Sequence, residues 1–269
     1  MTTKTMAIPT NLKNHTSVKE TLRQTLIMAK RGLIKIRRNP EQLADVLIQP
    51  IIFTLLFTFL FGGAIAGDIA SYLPIIIPGI LVQSVITGSI ATGVQLRDDM
   101  DKGVFNRFRS LPIARIAPLA GALLADVLRY AIIVTLTMLM GFILGMNPTG
   151  GLFGVLAASL LVIVVGWCIS WIFAFMGTIM RTSSSVTGVS MIVLMPLTFL
   201  SNAFVPVDTL PSILKAFAEI NPVSHIISAV RELLAAGTIG TDFWWAIVGS
   251  LTIVAIFAPL ALHAYKKKA

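Results

Sequence analysis

The sequence has little charge and few of the side chains that bind metals or form disulfides. Only 12% of its 269 residues are charged, whereas soluble domains carry about 25%. Its single cysteine, Cys168, cannot form an intramolecular disulfide, and because it lies in an apolar run we expect it to pack as a small hydrophobic residue. The three histidines, His15, His225 and His263, are far apart along the chain. We therefore predict no metal site.

Motifs for nucleotide binding and hydrolysis are also missing. The sequence contains no G-x-x-x-x-G-K-S/T loop, so it cannot hold the phosphates of ATP by that route. It contains no G-x-S-x-G motif for a nucleophilic serine either. We therefore predict no catalytic residues and no cofactor site on this chain, and we expect that it is not an enzyme.

Long uncharged apolar runs dominate the sequence instead. Hydrophobic residues make up 56% of the chain, and the mean hydropathy is +0.87. An α-helix needs about 20 apolar residues to cross the hydrocarbon core of a membrane. By this criterion six spans are predicted, at about residues 43–62, 73–96, 118–146, 152–180, 186–205 and 243–265. The fold class is therefore an all-α polytopic membrane protein, with an N-terminal segment at 1–42, a six-span domain at 43–265 and a basic tail at 266–269.

Lysine and arginine are distributed unevenly between the predicted loops. Eighteen of the 21 precede the first span, lie between residues 97 and 115, occur at Arg181 or belong to the tail. In a six-span protein these segments share one side, and the other side holds only Lys215 and Arg231. Because cytoplasmic loops carry the excess of basic residues, both termini are predicted to be cytoplasmic. Residues 1–40 contain no apolar core, so no cleaved signal peptide is expected.

Residues 17–38 have the pattern of a basic amphipathic helix. Apolar side chains recur at steps of three and four: Val18, Leu22, Leu26, Ala29, Leu33 and Ile36. Lysines and arginines occupy most of the remaining circumference. Such a helix typically lies in the membrane interface. Such a helix can be a surface anchor or a gate, and the same sequence pattern is typical of both roles.

The segment at residues 97–112, between the second and third spans, is rich in charge. Its charged side chains are Arg97, Asp98, Asp99, Asp101, Lys102, Arg107 and Arg109. Met100, Val104, Phe108 and Leu111 recur at helical spacing on one face. This spacing predicts a short amphipathic helix, which Pro112 ends. On charge alone, a solvated loop that only sets the topology is favoured over a helix that docks on a soluble partner.

Residues 206–242, between the fifth and sixth spans, are too apolar for a solvent loop and too interrupted for a span. Prolines divide them into two short helices, at about 210–220 and 223–236. We expect an extracellular re-entrant or interfacial helical hairpin, which is tolerated where protein or water satisfies its backbone. Its polar members are predicted to line an outer surface: Glu219, His225, Arg231 and Glu232.

Asp126 and Arg129 are charged side chains inside the third predicted span. They are three residues apart and therefore lie on one helix face. Ionisable residues inside a span are functional candidates. These two lie within about three turns of the cytoplasmic end, where they can pair or reach the interface. A structural pair is therefore favoured, and a role with a substrate or an ion stays open.

Three stretches of the sequence together resemble a known family. They are QPIIFTLLFTFLFGGAI in the first span, DKGVFNRFRSLPIARIAPLAGALLADVLR across the charged segment and third span, and FVPVDTLPSILKAFAEINPVSHIISAVRELLAAG before the last span. They are similar to type-2 ABC-transporter permeases, and within that family to drug-export permeases of the daunorubicin-resistance type. The resemblance covers nearly the whole chain beyond about Leu22.

This resemblance implies an export permease in the plasma membrane of a bacterium, which moves a hydrophobic or amphiphilic drug, antibiotic or lipid out of the cell. Two permease subunits, expected to be identical, would associate through their first and fifth spans and with two separate ATPase subunits. ATP and Mg²⁺ would be held by that partner, which agrees with the missing phosphate loop. No nucleic-acid partner is expected, because the basic residues cluster beside the spans.

The resemblance also reverses the preference stated above for residues 97–112. In this family the loop after the second span forms a coupling helix that contacts the ATPase. The contacts that it implies here are Asp101, Lys102, Gly103, Val104, Phe105, Arg107, Phe108, Arg109 and Pro112. Phe105 would point away from the apolar face and could insert into a partner cleft. The N-terminal helix would lie at the inner leaflet, and the outer hairpin would close the path.

Two other functional classes are alternatives to an export permease. An ion-coupled secondary transporter predicts carboxylates near mid-membrane and inverted repeats with matching broken helices. We find no such repeat, and Asp126 is close to the cytoplasmic edge of its span. A membrane scaffold or channel subunit that does not pump stays open, because the sequence contains no feature against it.

Overall fold

The computed structural model describes residues 17–38, 40–104, 113–114, 116–204 and 211–268. Within these ranges the chain forms nine α-helices and no β-strand. In chain order they are α1 (Val18–Arg38), α2 (Pro40–Ala66), α3 (Ile69–Asp101), α4 (Ala117–Ile143), α5 (Gly151–Ile179), α6 (Ser183–Phe199), α7 (Ser212–Ile220), α8 (Pro222–Ala236) and α9 (Thr241–Lys268). The predicted all-α fold class is confirmed for this part of the chain.

Five of the described helices are long and apolar enough to cross a membrane: α2 from Val46 to Ala66, α3, α4, α5, and α9 from Thr241 to Tyr265. Each corresponds to one predicted span. The remaining predicted span, at residues 186–205, coincides with α6, an apolar helix of only 17 residues. After Phe199 the chain turns, and the Asn202 side chain donates a 2.8 Å hydrogen bond to Ser228 Oγ on α8. This turn makes α6 shorter than the apolar run from which it was predicted.

α3 is the central helix of the bundle and contacts α2, α4, α5, α6 and α8. Its N-terminus is capped by Asp68, whose carboxylate accepts a 2.6 Å hydrogen bond from the Ser71 N–H. At Gly93 the backbones of α3 and α5 are so close that a β-carbon would overlap the Phe173 carbonyl group. Small residues permit such close approach between helices in membrane proteins. Residues on several faces of α3 are therefore positioned against other helices.

α1 packs on α4 through small side chains, whereas its large apolar side chains face outward. Ala29 is buried, and a β-carbon on Gly32 would lie 3.0 Å from Cβ of Ala125. Leu22 and Leu26 remain 61% and 60% exposed. The predicted amphipathic helix therefore forms, and its contact with α4 includes the small residues Ala29 and Gly32. The exposed leucines form an apolar face that the described bundle does not cover.

A separate helix was predicted to begin at Arg97, but the structure differs. α3 continues to Asp101, and the chain then turns at residues 102 and 103. The N–H groups of Lys102 and Gly103 donate to the carbonyls of Asp98 and Met100 at 3.0 and 3.1 Å. Gly103 has φ +66°, a left-handed conformation that glycine adopts without a steric penalty. Lys-Gly at this point is a helix C-terminus, and it separates Met100 from the rest of the predicted apolar face.

The interrupted segment before the last span forms two short helices, as predicted. α7 and α8 meet at Asn221-Pro222, and α8 ends at Gly237, where φ is +66°. α8 packs inside the bundle against α3, α5 and α9, with Ile227 and Leu233 fully buried. Residues 205–210, at the start of the predicted hairpin, lie outside the described part of the chain.

Candidate functional site

Asp99 joins the C-terminal end of α3 to α1. Its carboxylate accepts a hydrogen bond from Lys35 Nζ at 2.9 Å and lies 3.6 Å from the Arg31 guanidinium. Both cations are on α1, more than sixty residues away in the sequence. α1 is therefore attached to the bundle by charge at this end as well as by small-residue packing on α4.

Arg97 joins the same end of α3 to the turn between α5 and α6. It pairs with Asp101 one helical turn ahead, and its other guanidinium nitrogen donates to the Met180 carbonyl at 3.1 Å. Met180 follows the last residue of α5. The turn at Lys102 and Gly103 is thus held beside both α1 and the α5–α6 connection.

The predicted coupling residues divide into two groups. Asp101, Lys102, Gly103 and Val104 lie on this turn, where Lys102 is exposed and Asp101 is 47% exposed. The other predicted contacts lie outside the described residues: Phe105, Arg107, Phe108, Arg109 and Pro112. Their arrangement stays a prediction.

Met100 belongs to the bundle rather than to the coupling segment. It packs on a cluster that includes Leu119, Trp171 and Tyr265, from α4, α5 and α9. The predicted apolar face therefore grouped Met100, which packs in the bundle, with residues that follow the turn in the sequence.

Asp126 and Arg129 form a buried ion pair on α4. The distance between Asp126 Oδ1 and Arg129 Nη1 is 2.7 Å, and the two side chains are only 2% and 3% exposed. Thr92 on α3 donates a 2.6 Å hydrogen bond to the second carboxylate oxygen. Arg129 also donates to the Gly88 carbonyl on α3 at 3.4 Å. The two side chains pair and do not extend to an exposed edge, so the pair joins α4 to α3.

A cavity of about 520 Å³ lies between α2, α3, α4 and α6, and Arg129 reaches its wall. Its polar and aromatic lining includes Gln49, Phe53, Ser84, Thr87 and Asp98. Sequence reasoning missed this site. The polar side chains recur along one face of α3, which is a signal in the sequence, but nothing local indicates that this face meets α2 and α6.

The four polar residues predicted on the outer hairpin do not form one outer surface. Glu219 is exposed, and the His225 ring lies 2.6 Å from the carboxylate of Asp242. Arg231 instead turns inward and donates to the carbonyls of Ile75 and Asn202 at 3.1 and 3.0 Å. The prediction is therefore wrong for Arg231, because backbone carbonyls of α3 and of the turn after α6 are available beneath α8.

Burial accompanies the inward position of Arg231 and lowers the pKa of its guanidinium from the ordinary value. Glu232, the next residue, is half-buried and lies close to Gly240. The hairpin is thus attached by Arg231 to one backbone carbonyl of α3 and to one in the turn after α6, and by His225 to Asp242 at the start of α9.

Comparisons with known proteins agree with this architecture. The model of the ABC-2 type transporter family matches residues 23–235. Over 247 residues the chain is 44% identical to "Daunorubicin resistance ABC transporter permease protein DrrB1" from Streptomyces coeruleorubidus, covering 91% of this chain and 86% of that protein.

A second relative, from Mycobacterium tuberculosis, is named "Probable doxorubicin resistance ABC transporter permease protein DrrC". It is 26% identical over 242 residues, which are 89% of this chain and 87% of the relative. The resemblance found in the sequence is thereby confirmed. With several membrane-spanning helices and a family match over most of its length, this chain is a multi-pass membrane protein that belongs to the ABC-2 type transporter family.

Proposed function

We propose that this chain is the permease subunit of an ABC exporter that moves a hydrophobic or amphiphilic drug, antibiotic or lipid out of a bacterial cell. The observation that carries the proposal is the 44% identity, over nearly the full length, to a permease named for daunorubicin resistance. The chain has no phosphate-binding loop of its own. ATP and Mg²⁺ are therefore assigned to a separate ABC ATPase subunit.

The proposed topology has six crossings, with both termini in the cytoplasm. α6 supplies the sixth crossing: its 17 residues extend about 26 Å, close to the hydrocarbon thickness of about 30 Å. An even number of crossings returns the C-terminal lysines to the side of the basic N-terminal helix. The uneven distribution of lysine and arginine supports this orientation.

Coupling to the ATPase is assigned to the segment that follows α3. The segment continues directly from α3, and the contacts of Asp99 with α1 and of Arg97 with the α5–α6 turn connect it to two further parts of the bundle. A displacement imposed on the turn at Lys102 and Gly103 would therefore move α1 and α3 together. We assign the docking contact itself to the neighbourhood of Phe105.

Alternating access is proposed to occur in a dimer of permease subunits. α2 and α6 both present large exposed apolar side chains, among them Ile52, Leu56, Phe59, Ile192 and Met195. These faces are suited to contact a second copy within the membrane. α8 packs on α3 and closes the end of the bundle that is assigned to the outside.

The test is transport into inside-out vesicles that contain this chain and the ABC ATPase with which it co-purifies. Daunorubicin accumulation that requires ATP hydrolysis is expected. Accumulation that follows an ion gradient and ignores ATP would favour a secondary transporter. Absence of both, with the complex intact, would favour a scaffold or channel subunit. Vesicles that hold the ATPase without this chain are the control.

A further inference from the structure

One face of α3 forms a continuous wall of the cavity between α2, α3, α4 and α6. Lining residues recur at helical steps from Ser84 through Thr87, Ala91 and Val94 to Asp98. Fourteen residues of helix separate the ends of this series, a length of about 21 Å. The wall is therefore long, and its small and hydroxyl-bearing side chains leave space for an extended ligand.

The opposite wall contributes an aromatic surface. Phe53 on α2 lines the cavity and stacks on Phe57, with 5.7 Å between ring centroids. A phenyl ring that already has a stacked neighbour is fixed in orientation, and its other face suits a flat apolar or cationic group. Gln49, one turn before Phe53, adds an amide to the same wall.

The charges around the cavity are not balanced. Arg129 lies in the wall, but its charge is compensated by the ion pair with Asp126 at 2.7 Å. Asp98 is at one end of the wall, and among the described residues no cation lies within ion-pair distance of its carboxylate. Its neighbour Asp99 is different: it pairs with Lys35 on α1 and does not line this cavity. Among the described residues that line the cavity, Asp98 therefore carries the one charge without an ion-pair partner.

We propose that this cavity is a binding site for amphiphilic cations, with Asp98 as the residue that selects them. The ligand class is an aromatic or extended apolar body with a single cationic nitrogen at one end. The nitrogen would meet Asp98, and the body would lie along α3 toward Ser84 and against Phe53. This inference rests on the proposed export function and specifies which molecules the permease accepts.

The test compares two dyes and two variants of the purified full-length chain in lipid nanodiscs, without an ATPase. Rhodamine 6G is an aromatic cation, and Nile red is a neutral aromatic amphiphile that serves as the matched probe. Fluorescence anisotropy gives the dissociation constant of each dye. Asp98→Asn is expected to weaken rhodamine 6G binding by at least about tenfold, because a charge-assisted contact is lost. Nile red binding should change less than about twofold.

Glu20→Gln is the control, since it removes the same charge from an exposed residue at the start of α1 that does not line the cavity. It should leave rhodamine 6G binding within about twofold of the unchanged chain. Equal losses from Asp98→Asn and Glu20→Gln would overturn the proposal, as would equal losses for the two dyes. Failure of the unchanged chain to bind rhodamine 6G saturably would also overturn it.

Filling the cavity tests the location independently of charge. Ala91→Phe places a large side chain on the α3 wall and should abolish the binding of both dyes. Unchanged binding of both would show that the dyes bind elsewhere and would overturn the site. These binding assays contain no ATPase, so they test the site separately from export. If rhodamine 6G binding depends on Asp98 but the vesicles show no ATP-driven export, the exporter is contradicted and the site is not. Export unaffected by Asp98→Asn, with rhodamine 6G binding unchanged, would contradict the site alone.

Discussion

Asp126 and Arg129 are buried charges that pair with each other, and the pairing determines what each can do. Asp126 and Arg129 lie in the apolar interior of a predicted span, where an isolated ion would be strongly unfavourable. Their contact, together with Thr92, makes the pair tolerable. Their spacing of three residues on one helix predicts that the two side chains can meet, but their burial depends on how α3 covers α4.

This arrangement leads to a prediction about single and double substitutions. Arg129→Met should lower the free energy of unfolding by about 3–5 kcal/mol, because Asp126 is left as an uncompensated buried charge. Combining it with Asp126→Leu should restore much of the loss, since no unpaired ion remains. Thermal unfolding in detergent, followed by tryptophan fluorescence, measures both. A double variant as unstable as the sum of the two single variants would contradict this explanation.

At the scale of helices, close backbone contact and a glycine-ended helix define the bundle near the charged segment. α3 and α5 cross at Gly93, where the Phe173 carbonyl occupies the space that a side chain would need. α3 then ends at Gly103, whose positive φ turns the chain toward the predicted coupling residues. Both glycines are visible in the sequence, yet only the packing distinguishes their roles from those of the remaining glycines.

Two identical substitutions should therefore have opposite effects. Gly93→Ala should lower the midpoint of thermal unfolding, because its β-carbon would overlap the Phe173 carbonyl and separate the helices. Gly188→Ala is the matched control on α6, where a β-carbon has no neighbour within 4 Å. It should stabilise the protein by about 0.5–1 kcal/mol, since alanine favours a helix interior. An unchanged midpoint for Gly93→Ala would show that the crossing is not closely packed.

The coupling segment gives a second prediction at this scale. Phe105→Ala should reduce the amount of ABC ATPase that co-purifies with the tagged chain more than Met100→Ala does. Met100 packs against the buried cluster that includes Leu119 and Trp171, so its truncation should affect stability first. The measurement is the ratio of ATPase to permease after purification of monodisperse protein. Equal loss from both variants would count against docking around Phe105.

At the scale of the whole molecule, the protein combines an apolar bundle with strongly basic segments. Its net charge of +9 comes from residues concentrated before the first span, after the second and at the C-terminus. In the proposed orientation all three face the anionic inner leaflet. The exposed leucines of α1 would lie at the same surface.

Cysteine accessibility in intact cells tests this orientation. The native thiol is first removed by Cys168→Ser, which is expected to be tolerated because the two side chains are similar in size. Phe105→Cys in this background should resist a membrane-impermeant maleimide added outside the cells. Ile239→Cys, at an exposed position between α8 and α9, should react. Labelling of the first and protection of the second would reverse the topology and contradict the exporter.

The sequence by itself determined the features that depend on local composition. The apolar runs predicted the spans, because about 20 residues of low polarity are sufficient to cross a bilayer whatever they pack against. The three quoted stretches identified the family, whereas the orientation that the basic residues indicate stays a prediction. Two short helices were predicted at about 210–220 and 223–236 from prolines and a glycine that act on their immediate neighbours, and they form at 212–220 and 222–236.

Only the tertiary structure decided which polar side chains meet. Asp98 and Asp99 are adjacent and chemically identical, yet one lines a cavity and the other pairs with Lys35, 64 residues away. Arg231 reaches Ile75 across 156 residues of sequence. Burial, pairing and the shape of a cavity are properties of surfaces brought together by distant segments, and no local pattern specifies which surfaces those are.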